Sequence, residues 1–332
     1  MTTVESWYRD RPVLVVGGLG FVGLNLSRRL AALRARVTVA TPRRAAHELE
    51  ASELQSQGAR VVEADLRDAD RMREAVAGCE AVFNMAGRSG AVRSLEDPFT
   101  DLDVNCHGSL VLLEAMREAS PAAKLVFPGS RLQYGRVESI PVAEDSEMTP
   151  MCMHAVHKLA VEQYLKIYQQ LYGLRSTVVR LTNPYGAGQP AGRVAYGVVN
   201  RMIQLALGDQ PLPVFGDGAQ LRDYIYIDDV VDALLCIGAN QATDGHAYNL
   251  GSGTGTSFVA MARLVVDLVG GGRVVFEPWP PLAAKIETGD FVADVTRLTA
   301  AIGWTPSTPL ADGLRRTIDS YRTTRHAKHQ VL

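Results

Sequence analysis

Cysteine and net charge are both scarce in this chain of 332 residues. Its four cysteines lie far apart and form no Cys-x-x-Cys pair, so neither a zinc ribbon nor a disulfide framework is expected. This cysteine usage fits a reduced, cytoplasmic compartment. The formal net charge of −2 provides no bulk attraction to nucleic acid or to anionic lipid, and neither is expected as a partner.

Long apolar runs are also lacking. The stretch RPVLVVGGLGFVGLNL is interrupted by glycines and followed by Arg28 and Arg29, so no bilayer span is predicted. The first residues, MTTVESWYRD, do not have the basic start and apolar stretch of a signal peptide. With 47% hydrophobic and 21% charged residues, the chain has the composition of a globular protein with a large core.

Short apolar runs alternate with longer amphipathic stretches through the first half of the chain. This alternation predicts an α/β fold, a Rossmann-type doubly wound parallel sheet with right-handed crossovers. The predicted strands are 13–17, 37–40, 60–64, 81–86, 124–130 and 176–182. The predicted helices lie near 21–34, 44–57, 69–77, 98–119 and 152–172.

Gly/Pro-rich loops follow Asn183 and predict a second, smaller α/β lobe. We expect a dinucleotide-binding domain over 10–183, with 222–250 returning to it. The segment 184–322 is expected to form mainly a substrate-binding lobe, and 323–332 a flexible polar tail. In open parallel sheets ligands bind beyond the carboxyl ends of the strands, where such a lobe would close.

The segment VVGGLGFVG follows the first predicted strand and opens a helix. Gly17 permits a tight turn, Gly20 lets a pyrophosphate approach the backbone, and Gly23 lets the helix pack close to the strand. The free amides of the helix start, including those of Phe21 and Val22, would hold the phosphates. A plain tight turn is the alternative, but the position between strand and helix favours a dinucleotide.

The end of the second strand should identify the ribose of that dinucleotide. An acid there would favour NAD, but the chain has Thr41 followed by Arg43 and Arg44. Two guanidiniums could hold a 2′-phosphate, so NAD(P) is expected with a slight lean to NADP. The alternative is that both arginines are solvated at a helix start. Asp65 and Leu66 are placed to meet the adenine.

Taken together, several motifs make the chain resemble the extended short-chain dehydrogenase/reductase family, in its NAD-dependent epimerase/dehydratase branch. The likeness covers nearly the whole chain. The motifs are GGLGFVG (17–23), NMAG (84–87), DVNCHGS (103–109), GSRLQYG (129–135), HAVHKLAVE (154–162), RLTNPYG (180–186), GDGAQLRDYIYIDDVVDA (216–233) and YNLGSG (248–253).

The resemblance implies a nucleotide-diphosphate sugar as substrate and a tightly held nicotinamide cofactor. It also implies a homodimer built from helices 98–119 and 152–172. Cofactor contacts are expected from Ala86, Gly87 and Asn105. Ser130 would hold the sugar oxygen, and Lys158 would orient the ribose.

His154 departs from the family, which has a tyrosine four residues before the lysine. The i, i+4 spacing still places His154 and Lys158 on one helix face. An imidazole starts from a pKa near 6.5, and positive neighbours would lower it further, so a neutral ring can accept a proton at pH 7. Three roles stay open: a working base, a weaker base and a structural replacement. A His154-x-x-His157 metal pair has no evident third ligand, so no metal is expected.

The residues after Ser130 restrict the reaction. Family dehydratases have an Asp–Glu pair there, and decarboxylating members keep the Glu, whereas this chain has Arg131 and Leu132. Elimination and decarboxylation are therefore disfavoured. The leading prediction is a nucleotide-sugar epimerase that oxidises the sugar transiently and returns the hydride to the opposite face. The alternatives are an NADPH-dependent keto-sugar reductase and a non-catalytic dinucleotide-binding relative.

Substrate contacts are expected from five residues of the second half of the chain. Asn183 should meet the sugar or the diphosphate, and Arg222 resembles the diphosphate-binding arginine of the family. An ion pair of Arg222 with Asp217 or Asp223 is the alternative. Gln189 and Arg193 are expected at the nucleotide base. Lys285 is expected to replace a second phosphate-binding arginine, because Glu287 occupies that region.

Overall fold

The computed structural model describes residues 4–189 and 197–329, with side chains described up to Thr323. Arg193, a predicted substrate ligand, therefore lies outside the described residues. The strands are β1 Pro12–Val16, β2 Arg36–Thr41, β3 Arg60–Glu63, β4 Ala81–Asn84, β5 Lys124–Ser130, β6 Ser176–Leu181, β7 Asn183–Tyr185, β8 Pro211–Phe215, β9 Leu221–Tyr226, β10 Ala247–Leu250, β11 Gly255–Ser257 and β12 Arg273–Glu277.

Fourteen α-helices are found in this part of the chain. They are α1 Val4–Tyr8, α2 Phe21–Ala32, α3 Glu48–Ser56, α4 Ala69–Val76, α5 Ala91–Glu96, α6 Pro98–Leu102, α7 Gly108–Ala119, α8 Met153–Tyr172, α9 Val198–Leu207, α10 Ile227–Ala239, α11 Phe258–Val269, α12 Pro281–Lys285, α13 Thr296–Ile302 and α14 Leu310–His329. None of the described helices is both long and apolar enough to cross a membrane.

The main sheet has seven strands in the order β10-β6-β5-β4-β1-β2-β3, and every neighbouring pair is parallel. Alternate residues of β1 enter two different cores. Val13 and Val15 pack with α2 and α10 on one face, while Leu14 and Val16 pack with α4, α7 and α8 on the other. Burial on both faces explains the continuous apolar runs, and the predicted α/β fold is confirmed.

The strand order reverses at β1, which lies between β2 and β4. In doubly wound sheets this reversal opens a crevice beyond the carboxyl ends of the strands, and ligands bind there. The turns that leave β1 and β4 meet at this crevice. The approach of Gly17 to Ala86, and of Gly87 to Asn105 and Lys158, lies at this crevice.

The segment predicted as one helix over 98–119 is interrupted. Between α6 and α7, residues Asp103–His107 form a π-helical turn. Such a turn inserts one extra residue into a helix and is common at functional sites. It carries Asn105, whose amide reaches the loop after β4.

The second half of the chain contributes two small sheets, β11-β9-β7 and β12-β8, but β10 returns to the main sheet. Near the carboxyl end, the sequence predicts a polar tail from residue 323, whereas α14 continues to His329. Its preceding turn is held because the Tyr321 hydroxyl accepts from Asn200 and donates to the Gln189 carbonyl.

Candidate active site

The glycine-rich turn joins β1 to α2. Gly17 has φ +74°, and a Cβ there would lie 2.6 Å from the backbone of Ala86, so only glycine allows this approach of the β1 and β4 loops. A Cβ at Gly23 would lie 2.3 Å from the Gly17 carbonyl oxygen, which explains the close packing of helix on strand. Gly20 is the N-cap of α2, with no side chain to cap the first turn.

The amides of the first turn of α2 therefore remain available. The first intrahelical bond is donated by Leu24 to the Gly20 carbonyl at 2.7 Å, so the amides of Phe21, Val22 and Gly23 precede it. A positive helix end and free amides above a glycine turn fit the pyrophosphate of a dinucleotide.

The end of β2 carries the residues predicted at the ribose. Thr41 is buried, while Arg44 is half-buried and donates to Gln55 at 3.2 Å, with Glu48 at 3.7 Å. Arg43 acts on Asp65, whose pKa is lowered by the hydrogen bond from Arg67 and, more weakly, by the charge of Arg43. Arg44 is thus engaged with protein groups of α3.

Asp65 and Leu66 follow β3, as predicted for the adenine side of the crevice. The guanidinium of Arg67 donates to both carboxylate oxygens of Asp65, at 2.8 and 2.7 Å, and also to Asp103 at 2.6 Å. The Leu66 side chain packs against Gly108, where a Cβ would lie 2.9 Å from it. These contacts fix the Asp65–Arg67 turn against the π-helical turn.

The loop after β4 is held by Asn105. Its Oδ1 accepts from the Arg88 amide at 3.1 Å, and its Nδ2 donates to the Arg88 carbonyl at 2.9 Å. Gly87 has φ +156°, and a Cβ there would lie 2.8 Å from Asn105 Oδ1 and 3.7 Å from the Lys158 ammonium. Asn105, Ala86 and Gly87 are therefore brought to one place, as predicted, and Gly87 keeps the space in front of Lys158 open.

His154 and Lys158 are both buried in the first turns of α8. Burial, followed by the charge of Lys158, lowers the pKa of His154 to about 4, so its ring is neutral at pH 7, as predicted. Burial lowers the pKa of Lys158 to about 8. Its Nζ lies 4.5 Å from the ring centroid of Phe127. Within the described residues, His154 Nδ1 has no hydrogen-bond partner.

A buried carboxylate beside this pair was not found by sequence reasoning. Asp101 Oδ1 lies 2.6 Å from His157 Nδ1 and accepts from Asn105 Nδ2 at 3.0 Å. Its charge raises the pKa of both His154 and Lys158, against the larger effect of burial. His157 is thus a partner of Asp101, and no group of three metal-ligating side chains occurs in the described chain.

Ser130 ends β5 and caps the 3₁₀ turn 131–133. Its Oγ accepts from the Leu132 amide at 3.2 Å, and its own amide donates to Gln133 Oε1 at 2.7 Å. This reciprocal capping box fixes the serine at the carboxyl edge of the sheet.

Gln133 links Ser130 to the catalytic helix through a buried ion pair. Its Nε2 donates to Glu162 Oε2 at 3.0 Å, and Glu162 accepts a bidentate pair from Arg180 at 3.1 and 2.7 Å. Glu162 stands four residues after Lys158 and eight after His154, on the same face of α8. That spacing in HAVHKLAVE was the signal that could have revealed the link.

On the substrate side, the expected alternative partners of Arg222 are wrong. Arg222 is buried and pairs with Glu287, and its Nη1 donates to the Gly289 carbonyl at 2.6 Å. Asp223 instead accepts from Ser252 and from backbone amides. Asp217, for its part, accepts from the amide two residues later. The segment 287–289 folds over Arg222, which spacing along the chain could not show.

The other predicted substrate residues are spread along this side of the crevice. Asn183 begins β7 and donates to the Asp223 carbonyl at 2.8 Å. Gln189 is buried beside Gly197, where a Cβ would lie 2.7 Å from its Oε1. Lys285 ends the short helix α12 and is exposed.

Taken together, the parallel sheet, the glycine cradle and the buried His154–Lys158 pair define a dinucleotide-binding enzyme of the short-chain dehydrogenase/reductase type. The sequence model of the NAD dependent epimerase/dehydratase family matches residues 13–251. The chain belongs to this family, as its motifs predicted.

Individual relatives agree with this assignment over almost the whole chain. A UDP-glucose 4-epimerase of Mycolicibacterium smegmatis is 32% identical over 317 residues, covering 93% of this chain and 98% of that protein. The UDP-glucose 4-epimerase of Thermotoga maritima, solved with UDP-glucose, has a TM-score of 0.87 and 29% identity, covering 95% and 99% of the two chains. That of Thermus thermophilus, in complex with NAD, has a TM-score of 0.83 and 30% identity, covering 94% and 99%.

Proposed function

We propose that the protein is a nucleotide-diphosphate-sugar epimerase that oxidises its sugar transiently and reduces it again on the opposite face. The observation that carries this proposal is the buried His154–Lys158 pair at the switch point of the sheet, with no partner for His154 Nδ1 among the described residues. The related 4-epimerases support it, in agreement with the prediction from the sequence.

In the proposed mechanism His154 acts as the base. Its neutral imidazole takes the proton of the sugar hydroxyl as the carbon-bound hydrogen leaves as hydride, and it returns the proton when the hydride returns. The nicotinamide, when bound, supplies the acceptor and donor for that hydride. Ser130 orients the reacting oxygen, and the ammonium of Lys158 binds the cofactor ribose and keeps His154 neutral.

The residues after Ser130 favour epimerisation over elimination. Arg131 and Leu132 offer no carboxyl group to protonate a leaving hydroxyl or to take a neighbouring proton. A keto-sugar reductase would use the same base but would need a fresh reduced cofactor at each turnover. The non-catalytic alternative is disfavoured because the His154 ring is neutral at pH 7 and can accept a proton, and because strongly shifted pKa values cluster at functional sites.

For the cofactor we propose NAD, in line with the family and with the NAD complex of the related epimerase. The expected lean to NADP rests on Arg43 and Arg44. Arg44 is engaged by Gln55 and Glu48, which reduces its capacity to bind a 2′-phosphate. Dissociation constants of both cofactors for the apoprotein test this, and a tighter constant for NADP would reverse the proposal.

We propose a homodimer through the segments 98–119 and 152–172. Exposed apolar side chains follow one stripe of α8 at helical spacing, namely Met153, Val156, Ile167 and Leu171, and Phe99 of α6 is 82% exposed. A second copy would cover both. Light scattering should give twice the mass of the chain, and Ile167→Glu with Leu171→Glu should give the monomer.

We also propose a division into two domains and a cytoplasmic location. The division into 10–183 with 222–250, and a lobe mainly from 184–322, is supported by the return of β10 to the main sheet. A cytoplasmic location is supported by four cysteines that are all free thiols.

The decisive experiment combines cofactor release with substrate turnover. Denaturing the purified protein should release NAD in stoichiometric amount. Incubation with a panel of nucleotide sugars should then interconvert a pair of 4-epimers without added cofactor. Turnover only with added NADPH would favour the reductase. Tight cofactor binding without any turnover would refute the proposal that the protein is an enzyme.

His154→Phe tests the base directly. It should abolish turnover while leaving cofactor affinity within a few-fold of the wild type, because the glycine cradle and Lys158 remain. Unchanged turnover would remove His154 from the mechanism.

A further inference from the structure

Two guanidinium groups meet at the substrate side of the crevice. Arg131 is the first residue of the 3₁₀ turn after Ser130. Its guanidinium donates to Thr288 Oγ1 at 3.0 Å and lies 5.6 Å from the ring centroid of Phe291. Burial, and then the positive charge of Arg222, lowers the pKa of Arg131 to about 10. The two side chains reach the same short segment, because Arg131 donates to Thr288 while Arg222 donates to the Gly289 carbonyl and pairs with Glu287.

Only one carboxylate pairs with these two arginines. Glu287 accepts from Arg222, and Arg131 has no carboxylate within ion-pair distance in the described chain. The remaining segments 1–3, 190–196 and 330–332 contain neither Asp nor Glu, so they add no acidic side chain. Glu287 and Asp223 act on Arg131 only through their charges, so within the described chain the charge of Arg131 has no direct counter-ion.

Unused donors surround that charge. A guanidinium has five N–H groups, and Arg131 spends one of them on Thr288. The hydroxyl of Tyr224 is buried and has no hydrogen-bond partner in the described residues. Burial raises the pKa of Tyr224, and the charges of Arg222 and Arg131 lower it less. The phenol therefore stays protonated and can donate a hydrogen bond.

Arg131 is half-buried, and a guanidinium with unused donors in such a place is suited to binding an anion. We propose that Arg131, assisted by the Tyr224 hydroxyl, binds an oxyanion of the nucleotide-sugar substrate. That oxyanion is either a carboxylate on the sugar or an oxygen of the diphosphate. The inference rests on the proposed function for the identity of the ligand.

The position of Arg131 makes it a specificity residue. It directly follows Ser130, which holds the sugar oxygen in the proposed mechanism. Its planar guanidinium can form a bidentate pair with a carboxylate or a phosphate. Lys285, the predicted second phosphate contact, is exposed on α12 and has no comparable desolvation. Glu287 already pairs with Arg222, so Arg131 is the arginine that supplies positive charge to the substrate in this region.

The test measures binding rather than turnover. Dissociation constants of UDP, UDP-glucose and UDP-glucuronate are determined by calorimetry for the full-length protein with its cofactor. The variants are Arg131→Met, Arg131→Lys and Tyr224→Phe. Arg71→Met, an exposed arginine of α4 paired with Glu74, is the matched control.

Arg131→Met should weaken binding by about tenfold or more, the loss expected for a charge-assisted hydrogen-bonded pair. A loss confined to UDP-glucuronate identifies the sugar carboxylate, and an equal loss for all three ligands identifies the diphosphate. Arg131→Lys should bind more weakly than the wild type, because the fork is lost. Tyr224→Phe should lose several-fold with the same ligand pattern.

Affinities of Arg131→Met within twofold of the control for all three ligands would overturn the inference. If that variant fails to fold, as judged by its melting curve and cofactor content, Arg131→Lys and Tyr224→Phe decide in the same way. Binding without epimerisation would refute the proposed function and leave the inference standing.

Discussion

Replacing His154 by tyrosine should change the pH dependence of the reaction in a way that no structural role would produce. With a pKa of about 4, His154 is already neutral across the range from pH 5.5 to 7, so its proton-accepting form does not change there. Lys158, with a pKa of about 8, stays charged over the same range. The wild-type kcat/KM should therefore be flat from pH 5.5 to 7.

Both limbs of the profile follow from these values. A base must be unprotonated, so the rate rises with pH through about 4. The ammonium of Lys158 must be protonated, so the rate falls as pH rises through about 8. Between pH 7 and 9 the charged fraction of Lys158 falls from about 0.9 to about 0.1, which predicts roughly a tenfold loss.

His154→Tyr places a phenol, with an ordinary pKa near 10, at the same position. Lys158 and the cofactor charge lower that value, but a phenol remains mostly protonated below neutrality. The rate of the variant should rise about tenfold per pH unit between pH 5.5 and 7. Steady-state kinetics with a 4-epimer pair over pH 4.5–9.5 measure both profiles.

His107→Gln is the matched control, since His107 is exposed and its ion pair among the described residues is with Asp103. It should keep the flat region and both limbs. If the wild type showed a limb near pH 6.5, or if His154→Tyr were as flat as the wild type, the assignment of His154 as the neutral base would be refuted.

Three further perturbations test the surroundings of the pair. Asp101→Asn removes a charge that raises the pKa of Lys158, so the alkaline limb of kcat/KM should move below pH 8, and an unmoved limb would contradict the coupling. Glu162→Gln leaves Arg180 buried without its counter-charge and should lower the free energy of unfolding by about 3 kcal/mol in urea denaturation, whereas a loss below about 1 kcal/mol would show that the pair is solvated. Gly87→Ala puts a Cβ in front of Lys158 at φ +156° and should weaken NAD binding at least tenfold in a titration, with unchanged affinity counting against this route of the cofactor.

The fold was predictable because its signals are local. Six of the seven strands of the main sheet, all except β10, contain a short apolar run, and Gly17 and Gly23 stand where a Cβ would collide with backbone. The grouping of His154 with Lys158 was also predictable, since helical spacing alone places them on one face.

The partners of the site were not predictable, because they come from distant parts of the chain. Asp101 reaches His157 across 56 positions, and Glu287 reaches Arg222 across 65. A π-helical turn brings Asn105 to the loop after β4. It adds only one residue to the helix, and the spacing of apolar residues in the sequence does not reveal it. Close neighbours in the sequence, such as Asp223 for Arg222, were attractive candidates for that reason and were wrong.

The helix α8 presents its chemistry and its exposed apolar stripe on different sides of one rod. A single residue inserted or deleted between Met153 and Leu171 would rotate everything after it by about 100°. Such a change would turn Lys158 away from the crevice, or turn the apolar stripe away from the second copy in the proposed dimer, or both. Function therefore depends on the length of this stretch as well as on the identity of its residues.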